Sequence, residues 1–272
     1  MEKPLVSVLT TAYNPRYFAE TVQSVDAQDY SRLELLVVDD GSSPPLIDKI
    51  PKMINHQPRY IFMEHKGLPH GLVRGMNEAK GKYVAILDHD DVLTPYSISK
   101  RVEALESNPD AAFVYGDVIY INSNGKEYGR NSYKQYDDNK IFIKDILLKP
   151  FGPITHTTVM FRKECVDVVG GYDEKNKCFF DTDLILKLAD RYPMIKLNQE
   201  VVKYRTHGFN TSKSFKHKIK TIPYKLDAID KYLESDFNNL DYKAKIVFWQ
   251  ALKSVYSLFS FTRPKTLITL LK

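Results

Sequence analysis

The chain has 272 residues, 43% of them hydrophobic and 27% charged, with 39 Lys+Arg against 34 Asp+Glu for a formal charge of +5. That balance excludes disordered, collagen-like and disulfide-dense classes and leaves enough chain for one large α/β core, alone or with a helical appendage. Two cysteines, Cys165 and Cys178, supply neither a disulfide framework nor a cysteine-rich zinc site.

The first 120 residues alternate β-branched apolar runs with helical patterns, which predicts an α/β fold with a mostly parallel central sheet. Strands are expected at 5–12, 33–39, 59–63, 83–88 and 111–121. Helices are expected near Tyr17–Ala27, Pro45–Asn55, His70–Ala79 and Tyr96–Ser107, each long enough to cross over between parallel neighbours. The second and fourth strands end in Asp39-Asp40-Gly41-Ser42 and Asp88-His89-Asp90-Asp91. Ligands of open α/β sheets sit beyond the carboxyl ends of strands, so two acidic clusters there can face one ligand.

Beyond Asn122 the alternation weakens. The NSNG run reads as a turn, followed by a polar stretch to Lys140. A strand at 157–161, a turn at Gly170-Gly171, a helix from about Asp181 and a strand at 200–205 then complete the site without forming a separate domain. The expected division is a catalytic domain at 1–211, with a nucleotide half to about 122 and an acceptor half at 123–211, followed by a helical extension at 212–272. That extension carries 12 Lys+Arg against 5 Asp+Glu, leaving 27 against 29 in the body, so the basic excess belongs to the tail. It gives no reason to expect nucleic acid as a partner. Trp249, Leu252, Tyr256 and Phe259 approximate one helix face within Asp241–Phe261. Lysines among Phe248, Trp249, Phe259 and Phe261 suit an anionic membrane surface, and equally suit a helix packed on the domain. The start MEKPLVSVLTTAYN lacks an ordinary leader, and no apolar run approaches the roughly 20 residues that span a bilayer. The expected location is the cytoplasm, with peripheral contact at the inner face of the cell membrane as the variant.

The segments VSVLTTAYNP, VVDDGSS, AKGKYVAILDHDDVLTP, VVGGYDE, FFDTDLILKLAD and VKYRTHGFNTS, in this order, resemble the inverting family 2 glycosyltransferases of the GT-A fold. The resemblance covers about residues 4–212. It implies transfer of a sugar from a nucleotide diphosphate donor to an acceptor hydroxyl.

Asp88, His89 and Asp90 form a D-x-D pattern, and hard carboxylate oxygens can hold Mn²⁺ or Mg²⁺ against a diphosphate. The resemblance makes Asp90 the direct metal ligand and sets Asp88 at the ribose or metal. A strand-end acidic turn would use the same residues. Thr11, Tyr13 and Asp40 form a second group: an aromatic can stack on a base, and a carboxylate can accept the N3–H of uracil or thymine, which cytosine lacks. That favours a UDP-sugar or dTDP-sugar donor, and the resemblance assigns stacking to Tyr13 and the base contact to Asp40. In GLPHGLVRGMNEAK, Leu72 stands where the family usually has an arginine, and Arg74 or His70 could replace it. Asp181 matches the family's catalytic base, although an Asp there is also a good helix N-cap. Asp183, two residues on, serves a different role from Asp181 on a helix and is expected on the acceptor side. His207 resembles a histidine near the metal or diphosphate, with Arg205 a further candidate to neutralise phosphate. His156 is expected on the acceptor side.

The resulting expectation is a UDP-sugar-dependent transferase acting on a saccharide, free or lipid-linked, in surface polysaccharide assembly. The alternatives are a nucleotide-sugar binding or scaffold protein without turnover and a nucleotidyltransferase.

Overall fold

The first strand, β1 (Val6–Ala12), is buried at all seven positions, as expected of a parallel strand covered on both faces. It is the centre of the parallel half of the sheet in the computed structural model, which describes residues 2–51, 55–148, 154–208, 210 and 215–233, the last without the side chains of 215–219. β1 pairs in parallel with β2 (Leu33–Asp39) on one side and β4 (Tyr83–Ile86) on the other, and β2 pairs in parallel with β3 (Arg59–Phe62). Between these strands lie α1 (Phe18–Asp26) and α2 (Leu68–Glu78).

The other half of the sheet is mixed. After the two-residue β5 (Val92–Leu93) and α3 (Ser97–Glu106) come a hairpin of β6 (Phe113–Ile121) and β7 (Glu127–Asn131), then α4 (Asn139–Leu148). A 3₁₀ turn at His156–Thr158 leads into β8 (Val159–Arg162) and α5 (Lys163–Val168). α6 (Phe180–Ala189), β9 (Met194–Arg205) and α7 (Phe215–Leu233) follow. Among the described residues nine strands form one sheet in the order β3-β2-β1-β4-β8-β6-β9-β5, with β7 on β6. β8 is antiparallel to both β4 and β6, which stitches the two halves into one sheet, while β6 and β9 run parallel.

Helices cover both faces. Leu72 and Met76 of α2, Phe142 and Ile146 of α4, Leu184 and Leu188 of α6 and Ile229 and Leu233 of α7 share one core. Phe18 and Val22 of α1 and Ile98 and Val102 of α3 share the other. The first part of the tail is therefore docked on the catalytic body through α7. Asp241–Phe261 and the residue pairs that suggested a membrane face lie outside the described residues. Among the described residues no helix is long and apolar enough to cross a membrane.

Besides β5, β7 and α5, which have no expected counterpart, three elements differ from expectation. Instead of a helix at 45–55 there is a 3₁₀ turn at Leu46–Lys49, because Asp39 captures the Leu46 amide and Pro44, Pro45 and Pro51 deprive the segment of donors. β9 starts at Met194, not 200. Its Lys196, which reads as loop polarity, is buried against Asp117 at 2.6 Å. α4 has no expected counterpart, although Phe142, Ile143, Ile146 and Leu147 bury one helical stripe.

Candidate active site

Two acidic clusters lie at the carboxyl edge of the sheet, and they do different work. Asp39 is fully buried. Its Oδ1 accepts the Ser42 amide, and its Oδ2 accepts the Leu46 amide and the Tyr60 hydroxyl. Burial pushes its carboxyl up, but these donors outweigh that and hold it below the usual range. Asp39 is thus a loop anchor. Its depressed pKa contributes stability above the ordinary Asp value of about 4, lost as pH falls through the folded value. Asp39→Asn should lower unfolding free energy by about 2–4 kcal/mol at neutral pH, since an amide group faces donors. In urea titrations the gap to wild type should narrow below about pH 4.

Asp40 is also buried, with Oδ1 accepting the Lys66 amide and Oδ2 the Gly67 amide, at 2.8 and 2.9 Å. Between Asp40 and Ser42, Gly41 adopts φ +81°, and a Cβ there would sit 2.7 Å from the His65 nitrogen, so only glycine fits the turn. This brings the 65–67 loop beside the end of β1. Tyr13, 47% exposed, stacks on His65 with centroids 4.0 Å apart. Thr11 is buried with its methyl against Gly71 of α2, where a Cβ would be 2.3 Å away, and its hydroxyl has no partner. Tyr13 and Asp40 therefore share one loop cluster, with Thr11 beneath it. His65 belongs to the same cluster and carried no signal in sequence, because its relevance arises only from the fold of β3 against β2.

Arg74 does not join them. Its guanidinium is 56% exposed and pairs with Glu78 one turn along α2, and Glu78 in turn pairs with Arg59 at the start of β3. The inner face of α2 belongs to Gly71, Leu72, Gly75 and Met76, so a residue two positions after Leu72 points outward. His70, on the first turn, instead reaches Glu174 of the GGYDE segment at 3.1 Å. The expected arginine has no substitute at Arg74.

The second cluster surrounds Asp88. Burial first, then Asp90 and Asp181, push its carboxyl up to about 7. Asp88, Asp90 and Asp181 thus occupy one electrostatic neighbourhood, built from the end of β4 and the start of α6. Asp91 is buried and raised well above the ordinary value by burial, Asp90 and Asp88, against the opposing Arg205 amide and Thr157 hydroxyl. One of its oxygens and His89 Nδ1 have no partner, and burial holds the His89 ring below its usual value. Thr157 Oγ1 accepts the Asp88 amide, and Arg101, fully buried, donates to the carbonyls of Thr158 and Val159. The 3₁₀ turn is held under the acidic loop in this way.

His207 Nε2 lies 2.8 Å from Asp90 Oδ2 although the two are 117 residues apart in sequence. Arg205, by contrast, is 1% exposed: it pairs with Glu20, donates to the Asp90 carbonyl and stacks over Tyr17. Its backbone amide binds Asp91. Arg205 ties α1 to the acidic loop and cannot reach a phosphate, which corrects the expectation that it neutralises one.

On the acceptor side, Asp181 sits in the first turn of α6, whose N-cap is Phe179. The N-cap alternative therefore fails. Asp181 Oδ1 accepts the Thr182 amide and hydroxyl. Asp183 pairs with Lys187 at 2.6 Å, a helix-surface contact apart from Asp181. His156 is buried, its Nε2 2.7 Å from the Tyr172 hydroxyl, with both rings packed on Phe180. Burial lowers the His156 ring, while Asp181 acts the other way. Tyr172 is not singled out in sequence, where GGYDE counts as a family segment with a turn at Gly170-Gly171; those glycines do adopt φ +83° and +65°.

An all-oxygen pair at Asp88 and Asp90, with the Asp88 proton affinity raised, suits a hard divalent cation. Among the described residues no group of three or more His, Cys, Asp or Glu is arranged to hold one. The donor set therefore fits a cation that the substrate's phosphates complete, in the manner of Mg²⁺ sites with one or two carboxylates.

A parallel half of the sheet stitched to a mixed half by an antiparallel strand, with helices on both faces, is the GT-A type of fold. The sequence profile of glycosyl transferase family 2 matches residues 7–170, and the chain belongs to that family and is a glycosyltransferase. An uncharacterised glycosyltransferase of Methanocaldococcus jannaschii is 30% identical over 215 residues, covering 75% of this chain and 72% of the relative. Other relatives are longer, and the chain spans 20% of one from Sinorhizobium fredii. In fold, it resembles S. aureus TarS 1–349 in complex with UDP-GlcNAc (TM-score 0.64, 16% identity, 96% of this chain and 76% of that one). It also resembles a mannosyltransferase of Pyrobaculum calidifontis in complex with GDP-Man and Mn²⁺ (TM-score 0.59, 16% identity, 99% and 79%). The nucleotidyltransferase alternative gives way to this membership.

Proposed function

We propose that this glycosyltransferase moves a sugar from a UDP-sugar to a saccharide hydroxyl with inversion, in the assembly of a surface polysaccharide whose acceptor is free or lipid-linked. The observation that carries the reading is the common electrostatic neighbourhood of Asp88, Asp90 and Asp181. It joins a diphosphate-side acid pair to an acceptor-side carboxylate.

Tyr13 offers an exposed ring for the base, and Asp40 keeps lone pairs beyond the two that hold the 65–67 loop. Asp88 and Asp90 would hold Mn²⁺ or Mg²⁺, with His207 orienting Asp90. When bound, the cation supplies Lewis-acid stabilisation of the leaving diphosphate. The acceptor oxygen attacks the anomeric carbon from the face opposite the diphosphate. Its proton passes to Asp181 Oδ2 while the carbon–oxygen bond to the β-phosphate breaks and UDP departs. Binding of UDP-GlcNAc by the TarS neighbour supports a UDP donor, and Mn²⁺ in the mannosyltransferase neighbour supports the cation.

The direct test is nucleotide release from a panel of UDP-, GDP- and CMP-linked sugars with Mn²⁺ and soluble saccharides. Acceptor-dependent release from at least one UDP-sugar is expected. Release only from GDP- or CMP-linked donors would overturn the UDP assignment.

A further inference from the structure

The β6–β7 hairpin carries more aromatic surface than its packing requires. Tyr128 is 59% exposed on β7, yet its ring stacks on Tyr120 with centroids 6.0 Å apart, and its hydroxyl lies 2.9 Å from Thr206 Oγ1. Tyr120 is in register with Gly129, where a Cβ would lie 3.7 Å from its ring, so the side chain that covers this ring from β7 is that of Tyr128, one residue back. Tyr204 of β9 meets Tyr120 edge-on at 6.1 Å.

This tyrosine surface is continuous with the active site through Thr206, which bonds Tyr128 and lies between Arg205, which holds the acidic loop, and His207, which touches Asp90. The rings therefore extend from the edge of the site and do not form an isolated patch.

We propose that Tyr128, Tyr120 and Tyr204 form a carbohydrate-binding strip that receives acceptor sugars beyond the one that reacts. This rests on the acceptor being a saccharide. Polarised C–H groups of a pyranose ring sit well on the negative face of an aromatic ring, and the tyrosine hydroxyls meet the sugar's own hydroxyls. The flanking charges favour this occupant over a nucleic acid or a phosphate-rich lipid. Arg130 is paired with Glu127 and Glu200, and Lys203 with Glu127, so the strip has matched charges at its rim.

Binding of soluble hexasaccharides tests the strip without requiring turnover. The full chain is titrated by calorimetry with a neutral glucan, an N-acetylated and a uronate-bearing hexasaccharide, and separately with UDP. Wild type should bind at least one of them. Tyr128→Ala should weaken that binding at least about fivefold, the value of one aromatic contact near 1 kcal/mol. Tyr128→Phe, which keeps the ring, should stay within about twofold, and UDP binding should be unchanged in both variants. Wild-type affinity in Tyr128→Ala, or no binding of any of the three to wild type, overturns the strip. Loss of saccharide binding in Tyr128→Ala alongside a wild type that turns over no UDP-sugar would uphold the strip and sink the donor reading instead.

Discussion

Asp181→Asn should lower kcat by about 10²–10⁴ while leaving UDP affinity within about twofold of wild type. The size follows from what the carboxylate does. An amide cannot accept the acceptor's proton, so the attacking oxygen must lose it to water. Asp181 lies in the first turn of α6, beside the acids of the second cluster. One oxygen is occupied by Thr182, a contact that asparagine Oδ1 reproduces, so the substitution should disturb the chemistry and not the helix. Steady-state kinetics and UDP calorimetry on the same preparation separate the two. Full activity in the variant would remove Asp181 from the mechanism. A parallel loss of UDP binding would mean that the acceptor and donor sides had been assigned to the wrong residues.

Asp90→Ala is the second large effect. Wild type should bind UDP more tightly with Mn²⁺ than with EDTA, and in the variant that difference should vanish, with turnover reduced more than about 100-fold. Asp90 Oδ2 lies 2.8 Å from His207 Nε2, so the variant also removes one contact of that imidazole. His207→Ala keeps the carboxylate and should lose only about 10–100-fold in metal affinity. UDP titrations across a Mn²⁺ series resolve the two. Unchanged metal-dependent UDP affinity in Asp90→Ala would require a different cation site. The carboxylates of Asp88 and Asp91 are poor substitutes for Asp90. The first faces Asp181 as well as Asp90, and the second already accepts the Arg205 amide.

Much of the nucleotide half was legible because its cues are local. β1, β2 and β4 are short apolar runs with acids at their ends, and a run of that kind forms a buried strand almost regardless of its neighbours. Asp181 differs: its local setting at the start of α6 suggested an N-cap, a position that Phe179 holds, and only the resemblance proposed it as the base. Legibility failed where polarity was satisfied across the sheet: Lys196 reads as loop until Asp117 is set beside it. It failed again at Arg74, where proximity along the chain suggested the site, yet helix phase turns the side chain to Glu78.

The sequence by itself determined most strands and helices of the first 120 residues and the two acidic strand ends, which follow from propensity and periodicity over fewer than about a dozen residues. The candidate base Asp181 came only from the family resemblance. Only the tertiary structure separated the acids that anchor loops from the others. Asp39 and Asp40 look like equivalent neighbours, but strand alternation and the loops around them make the first an anchor for 42–46 and the second the clasp of 65–67. His207 reaches Asp90, Tyr172 reaches His156, and Tyr128 reaches Tyr120 through pairings set by the antiparallel stitch at β8 and the hairpin at β7. Such pairings depend on sheet order and register, which arise from packing summed over the whole core and leave no pattern at any one position of the chain.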